Sequence, residues 1–208
     1  MCAVRSNRRA WTDFINKGKV LPAKVDWESV WVPGKGHFHG KILGIDPSLR
    51  GTGLAVIDVG NREVIDLLFS QTVKVLAKES LAECTYRIFS TLQTVIERYQ
   101  PTVCAAEETI YVQNFQTAQI MGIARGAILT AIGSCHLPLF EYAPLRIKQA
   151  LCGYGRASKE QVGKMVQAIL KIQMDVGFDE TDAAAAAICC FFTERSLANF
   201  SHKDVPIS

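Results

Sequence analysis

Lys41-Ile-Leu-Gly-Ile-Asp46-Pro-Ser-Leu-Arg-Gly-Thr-Gly53 is the stretch on which the fold turns. A short apolar run ends in an acid at Asp46, and Pro47 to Gly53 has the composition of a turn, which suits a buried strand. Two more strand-like runs follow, Gly53 to Asp58 and Glu63 to Gln71, joined at Gly60-Asn61, a pair that favours a tight hairpin. These three strands are predicted to form an antiparallel meander. Residues 78–99 change to helical spacing, with Leu81, Cys84, Ile88, Leu92, Val95 and Tyr99 near one face. Pro101 ends that helix, and Thr102 to Ala106 is a fourth strand.

A second helix is predicted over 113–134. In it Ala118, Gly122, Gly126 and Thr130 recur every four residues as a stripe of small side chains. The stripe serves either as a subunit contact or as a buried face within the monomer, since small residues let another backbone approach. Leu137 to Tyr142 reads as a fifth strand. Ser158-Lys-Glu-Gln161 is a capping box that opens a helix to Lys171, and a last helix runs from about Asp179 to Glu194. The predicted fold is α/β, a five-stranded mixed sheet flanked by helices, with three antiparallel strands and then two parallel ones.

That body covers 41–196. Before it, residues 1–40 carry seven Lys and Arg against three acids, hold all three Trp, and close on Pro33-Gly34-Lys35-Gly36. They read as a basic extension and linker, either a solvated arm or one that contacts nucleic acid; His37 and His39 could bind metal, but in a Gly-rich linker solvation is the expectation for them. Residues 197–208 form a tail. The whole chain has 208 residues, 49% of them hydrophobic and 21% charged, with a net charge of +3. It can therefore bury a core, and it is neither disordered nor polybasic. No apolar run reaches the roughly 20 residues of a membrane helix, and no secretory leader is visible at the N-terminus. Seven scattered cysteines without a Cys-x-x-Cys pair fit neither a disulfide framework nor a zinc site, so a reduced, cytoplasmic setting is expected.

The chemistry is expected from carboxylates. There is no Gly-x-Ser-x-Gly and no phosphate-binding Gly-x-x-x-x-Gly-Lys, and His136 is the only histidine of the body. Asp46 stands at the carboxyl end of the first strand, with Glu107 and Glu108 at the end of the fourth. A right-handed crossover would lay those strands side by side and parallel, with their ends at the crevice where open α/β sheets place ligands. Strand neighbours face opposite sides, so only one glutamate reaches Asp46, and spacing does not choose between them. Asp179 and Asp182 lie three apart on one helix face. Four converging carboxylates call for cations, and ligation by oxygen alone favours magnesium or manganese. Piece by piece, Asp46 could instead bond its own turn, and Asp179 could cap its helix with Asp182 in the first turn.

Five motifs, in order, resemble those of RuvC-type Holliday-junction resolvases over roughly 41–195. They are the Asp46 stretch, Ala105-Ala-Glu107-Glu108, the run from Gln119 to Ala124-Arg125-Gly126, a basic region, and Asp179-Glu-Thr-Asp182-Ala183. The basic region comprises Phe140-Glu-Tyr-Ala143, Ile147-Lys148-Gln149, Gly153-Tyr154-Gly155 and Lys159-Glu-Gln-Val162. The resemblance implies an RNase H-like fold and a homodimer that makes paired, magnesium-dependent nicks in four-way DNA junctions. It also implies work in recombination and repair beside a RuvA–RuvB branch-migration complex. It selects Glu107 over Glu108 and makes Asp46, Glu107, Asp179 and Asp182 the metal ligands. Lys148 and Lys159 match lysines near the DNA backbone. Ser48 stands where the family has glycine, so the first turn differs if positive φ is required there. Ile110 stands where the family often has an aromatic thought to engage an unstacked base; Tyr111 and Phe115 are near, with packing as their alternative.

The reaction expected from that resemblance is phosphodiester hydrolysis with two ions roughly 4 Å apart, one activating water and the other stabilising the leaving 3′ oxygen. Arg146, Lys148, Arg156, Lys159 and Lys164, against Glu160 alone, supply a surface for phosphates, and Tyr154 and Tyr111 supply rings for base or sugar contact. Three rivals share parts of this pattern. A sugar-kinase or actin-like ATPase would need a second such domain. A ribonuclease on RNA–DNA hybrids would ignore branching. A junction-binding protein without catalysis would lack acids, and none is missing.

Overall fold

The computed structural model describes residues 40–60, 64–108, 114–172 and 177–197, with side chains to Thr193. The expectations for the 1–40 extension, His37, His39, Asn61, Ile110, Tyr111 and the C-terminal tail therefore lie outside the described residues, Gly40 apart.

Five strands form one sheet in the order β3-β2-β1-β4-β5: β1 (Gly40–Asp46), β2 (Gly51–Val59), β3 (Ile65–Lys74), β4 (Val103–Glu107) and β5 (Leu139–Tyr142). The first three pair antiparallel, β4 runs parallel to β1, and β5 runs parallel to β4. The predicted mixed sheet is thus observed. β1 lies at the centre, where Ile42, Leu43 and Ile45 are wholly buried. The antiparallel hairpin expected at Gly60-Asn61 is observed, with a connection longer than a two-residue turn. The ladder closes at Val59↔Ile65, leaving a five-residue connection tied by the Gly60 amide donating to the Val64 carbonyl at 3.0 Å. A bulge between Val56 and Ile57 further displaces the register with β3.

Helices α1 (Leu81–Tyr99) and α2 (Phe115–Ser134) cover one face. Cys84, Ile88, Leu92 and Val95 of α1 join Ala124, Ile128 and Ala131 of α2 over Leu43, Ile45, Leu54 and Val56. Ser80 caps α1 through a capping box with Glu83, so the helix starts three residues later than predicted. Leu81, expected on the buried face, is 49% exposed, and Ile96 is buried in addition. The capping box at Ser158 opens α4 (Lys159–Leu170) as expected. The sequence reading missed α3 (Pro144–Cys152). Nine residues are too few to establish a period, although Pro144 at the first position and Gly153 just past the end (φ 81°) are start and stop signals.

The opposite sheet face carries α5 (Phe178–Leu197), buried from Ala183 to Phe191. Its approach is close enough to touch backbone. A Cβ on Gly44 would fall on the Ala183 carbonyl, and one on Gly53 would fall on the Asp179 carbonyl. No described helix is long and apolar enough to cross a membrane.

Candidate active site

The site begins with strand parity. On β1, Leu43 and Ile45 face α1 and α2, so Gly44 and Asp46 face α5. On β4, Cys104 and Ala106 belong to that same first core, which turns Ala105 and Glu107 to the α5 side. The parallel register pairs Ile45 with Ala106, and its continuation sets Asp46 beside Glu107. Glu108, one residue on, takes the other face, where its charge acts on Arg125 of α2. Arg125 grips Glu141 of β5 with both nitrogens, Nη2 to Oε2 at 2.7 Å, so the end of β5 is pinned to α2.

The third wall is α5. With Gly44 and Gly53 beneath it, the helix sits low enough to bring Asp179 and Asp182 over the ends of β1 and β4. Asp179 Oδ2 lies 3.1 Å from where a Gly51 Cβ would be. Asp179 lies inside the first turn of α5, one residue past its start, and does not cap it. The turn after Asp46 is closed by Thr52, the one wholly buried polar side chain among the described residues, whose hydroxyl donates to the Ser48 carbonyl. Ser48 is not among the described residues with positive φ, so the absence of the family's glycine does not strain this turn.

Electrostatics reports the convergence. Burial pushes the Asp46 carboxyl from its ordinary 3.8 up to about 7, and the charges of Asp182, Glu107 and Asp179 add to that rise. Glu107 is raised chiefly by burial, then by Asp182, and is drawn back by Lys148 and Lys159. An open cleft lies in front, lined by Glu107, Ile147, Lys148, Lys159, Val162 and Asp182. Lys159 stands at its rim, with Nζ 2.7 Å from Asp182 Oδ2.

The donors suit a hard divalent cation by chemistry: oxygen alone, four negative charges from three elements, and an electrostatic penalty at Asp46 that a cation would remove. Among the described residues no three such side chains stand ready-closed on one point, and the ammonium of Lys159 is the cation the cluster now holds.

The expected DNA contacts fall on one neighbourhood. Arg146 and Lys148 project from α3; Arg146 is exposed and reaches Thr193 Oγ1 of α5 at 3.4 Å, while Lys148 is half-buried in the cleft. Tyr154 and Arg156 are exposed on the turn between α3 and α4, and Lys164 is exposed on α4. Tyr111 lies outside the described residues; Phe115, at the start of α2, is 79% exposed. The Ala118, Gly122, Gly126 and Thr130 stripe is exposed, and a Cβ at either glycine would meet nothing within 4 Å. Burial of the stripe inside the monomer, one of its two readings, is therefore corrected.

Two contributors were not read from the sequence. Thr52 gave no signal beyond its place in the turn. Phe178, 68% exposed with its ring 5.2 Å from the Lys159 ammonium, was signalled only by a large apolar residue directly before the Asp179 motif.

Comparison with known proteins covers the same elements. The family model for crossover junction endodeoxyribonuclease RuvC matches residues 42–190. RuvC of Halorhodospira halophila is 44% identical over 149 residues, 72% of this chain and 88% of that one. RuvC of Heliobacterium modesticaldum is 42% identical over 151 residues, 72% of this chain and 92% of that protein. Among solved structures, T. thermophilus RuvC in complex with a Holliday junction substrate aligns with a TM-score of 0.72 at 33% identity, covering 76% of this chain and 96% of that one. The yeast mitochondrial Holliday junction resolvase, at 12% identity and a TM-score of 0.57 over 78% of this chain and 81% of its own, shares the fold. With this match running through β1, β4 and α5, the chain belongs to the RuvC family of crossover junction endodeoxyribonucleases.

Proposed function

We propose that this chain is a crossover junction endodeoxyribonuclease that resolves four-way DNA junctions by paired symmetric nicks in homologous recombination and repair. The observation that carries this reading is the meeting of Asp46, Glu107, Asp179 and Asp182 at one end of the sheet, beside a cleft walled by Lys148 and Lys159, in a RuvC-family chain. The nuclease domain spans 41–196, with the 1–40 extension and the 197–208 tail outside it.

In this reading the four carboxylates hold the metal, and Lys148 and Lys159 neutralise the scissile phosphate in the cleft. Arg146, Arg156 and Lys164 seat neighbouring phosphates, which fixes position without reading sequence. Tyr154 and Tyr111 are the candidates for base or sugar contact. The four carboxylates would hold magnesium, two ions per site with manganese suiting the same oxygens, and metal bound there would supply an activated water and stabilisation of the leaving 3′ oxygen. Partial burial of Asp46 lowers the dielectric around its carboxylate and strengthens its hold on a cation. Paired nicks need two sites, so the working form is a homodimer, joined through the exposed stripe of α2 and acting in the cytoplasm beside a RuvA–RuvB branch-migration complex.

The test is incubation of the purified chain with a synthetic four-way junction, linear duplex and RNA–DNA hybrid, with and without magnesium, alongside Asp46→Asn. Symmetric, magnesium-dependent nicks in the junction alone, absent in the variant, are expected. Cutting of the hybrid moves the protein to the ribonuclease class. Tight junction binding without cleavage in either metal leaves a scaffold.

A further inference from the structure

Lys159 opens α4 facing the cluster, and its ammonium touches two groups at once. It sits 2.7 Å from Asp182 Oδ2 and 5.2 Å from the ring centroid of Phe178. Phe178 is the first residue of α5 and is 68% exposed, so its ring adds little to the core and its face is turned to a cation. The charge of Lys159 also offsets the carboxylates of Asp46, Glu107 and Asp179. Its side chain is half-exposed at the rim of an open cleft, so its four-carbon stem is free to swing outward.

A divalent ion and the Lys159 ammonium compete for Asp182 Oδ2, because two cations cannot both sit at contact distance on that one oxygen. We propose that Lys159 is the built-in counter-cation of the acidic cluster, held on Asp182 with the help of Phe178, and that DNA phosphate must draw it away before Asp182 accepts a divalent ion. This rests on the metal-nuclease reading of the site. The free protein then holds metal weakly, and the junction-bound protein holds it well. Reciprocity requires metal and DNA to favour each other by the same factor. Phe178 is a positioning residue here: it touches neither phosphate nor metal and acts through Lys159.

The test uses the full chain. Manganese binding to the DNA-free protein is titrated by electron paramagnetic resonance for wild type, Lys159→Met, Lys159→Arg, Phe178→Ala and, as a charge control at the far end of β1, Lys41→Met. Lys159→Met is expected to bind manganese at least about two- to fivefold more tightly, the range of a partly exposed ion pair. Phe178→Ala is expected to move the same way by about twofold. Lys159→Arg and Lys41→Met stay at wild type. Junction binding is then followed by fluorescence anisotropy in EDTA across salt. Lys159→Met should lower the slope of log K against log salt by about 0.9, one phosphate contact. Unchanged manganese affinity in Lys159→Met, or an unchanged salt slope, overturns the inference while wild-type nicking of the junction leaves the nuclease reading standing. A wild type that neither nicks nor binds manganese with junction present sinks both.

Discussion

The site depends on how low α5 sits on the sheet, and Gly44→Ala tests that directly. The added Cβ would land on the Ala183 carbonyl oxygen, 2.8 Å from its carbon and 3.0 Å from the Ala187 Cβ. None of these neighbours is a flexible tip: two are helix backbone, and the third is a methyl fixed to it. Gly44 is wedged between Ala55 and Ala105 in the middle of the sheet, so β1 cannot retreat either. α5 must therefore rise, carrying Asp179 and Asp182 away from Asp46 and Glu107. Overpacking of this kind costs about 1–3 kcal/mol of stability. A misplacement of about 1 Å at the reacting groups costs on the order of 100-fold in rate. Lys148, Arg156 and Lys164 are off this contact, so junction binding should survive. The assay is single-turnover nicking of a synthetic junction beside anisotropy binding and urea denaturation. A Gly44→Ala protein with wild-type nicking and wild-type stability would refute the claim that backbone contact between α5 and β1 sets the site.

Three further outcomes follow from the same geometry. Glu107→Gln should lower nicking by more than about 100-fold through lost metal affinity, while Glu108→Gln, on the opposite face beside Arg125, stays close to wild type; equal losses would mean that strand parity does not select the acid. In magnesium-free buffer, thermal stability should fall as pH rises from about 4 to about 7. The folded state keeps a proton on Asp46 that the unfolded chain has lost, so the penalty is absent below 3.8 and complete above about 7. Asp46→Asn should flatten that window relative to wild type, and an identical pH dependence in the variant and wild type would contradict the placement of Asp46. Gly122→Leu fits the monomer, since nothing lies within 4 Å of its Cβ position, but it would block a second copy from seating on α2. Sedimentation should show a monomer with intact melting, making single in place of paired nicks; a persisting dimer would move the contact elsewhere.

Much of this was legible beforehand because the governing rules are local. Strands β1, β4 and β5 are short apolar runs between turn residues, and the capping box at Ser158 announces α4 by itself. The errors were local as well. Gly60-Asn61 has turn composition and the chain does reverse there, but one dipeptide does not fix the length of the connection, and the ladder ends at Val59↔Ile65. Leu81 fits the helical period but lies in the first turn of α1, beyond the edge of the sheet core. The helix Pro144–Cys152 is too short for periodicity to show, and only its end residues mark it.

Sequence alone determined which residue types were available, that acids end two strands, and, through the ordered motifs, that they belong together. The ambiguity between Glu107 and Glu108 that spacing left open is an ambiguity of phase. A strand presents neighbours to opposite faces, and which face receives α5 is set by long-range packing. The tertiary structure decided this by laying Ala183 on Gly44 and Asp179 on Gly53, contacts between residues more than a hundred positions apart. It also decided that the small-residue stripe of α2 faces outward, that Thr52 closes the turn below Asp46, and that Lys159 rests between Asp182 and Phe178. Each is a matter of which surfaces meet, and meeting surfaces are fixed by the burial of the whole chain rather than by any segment of it.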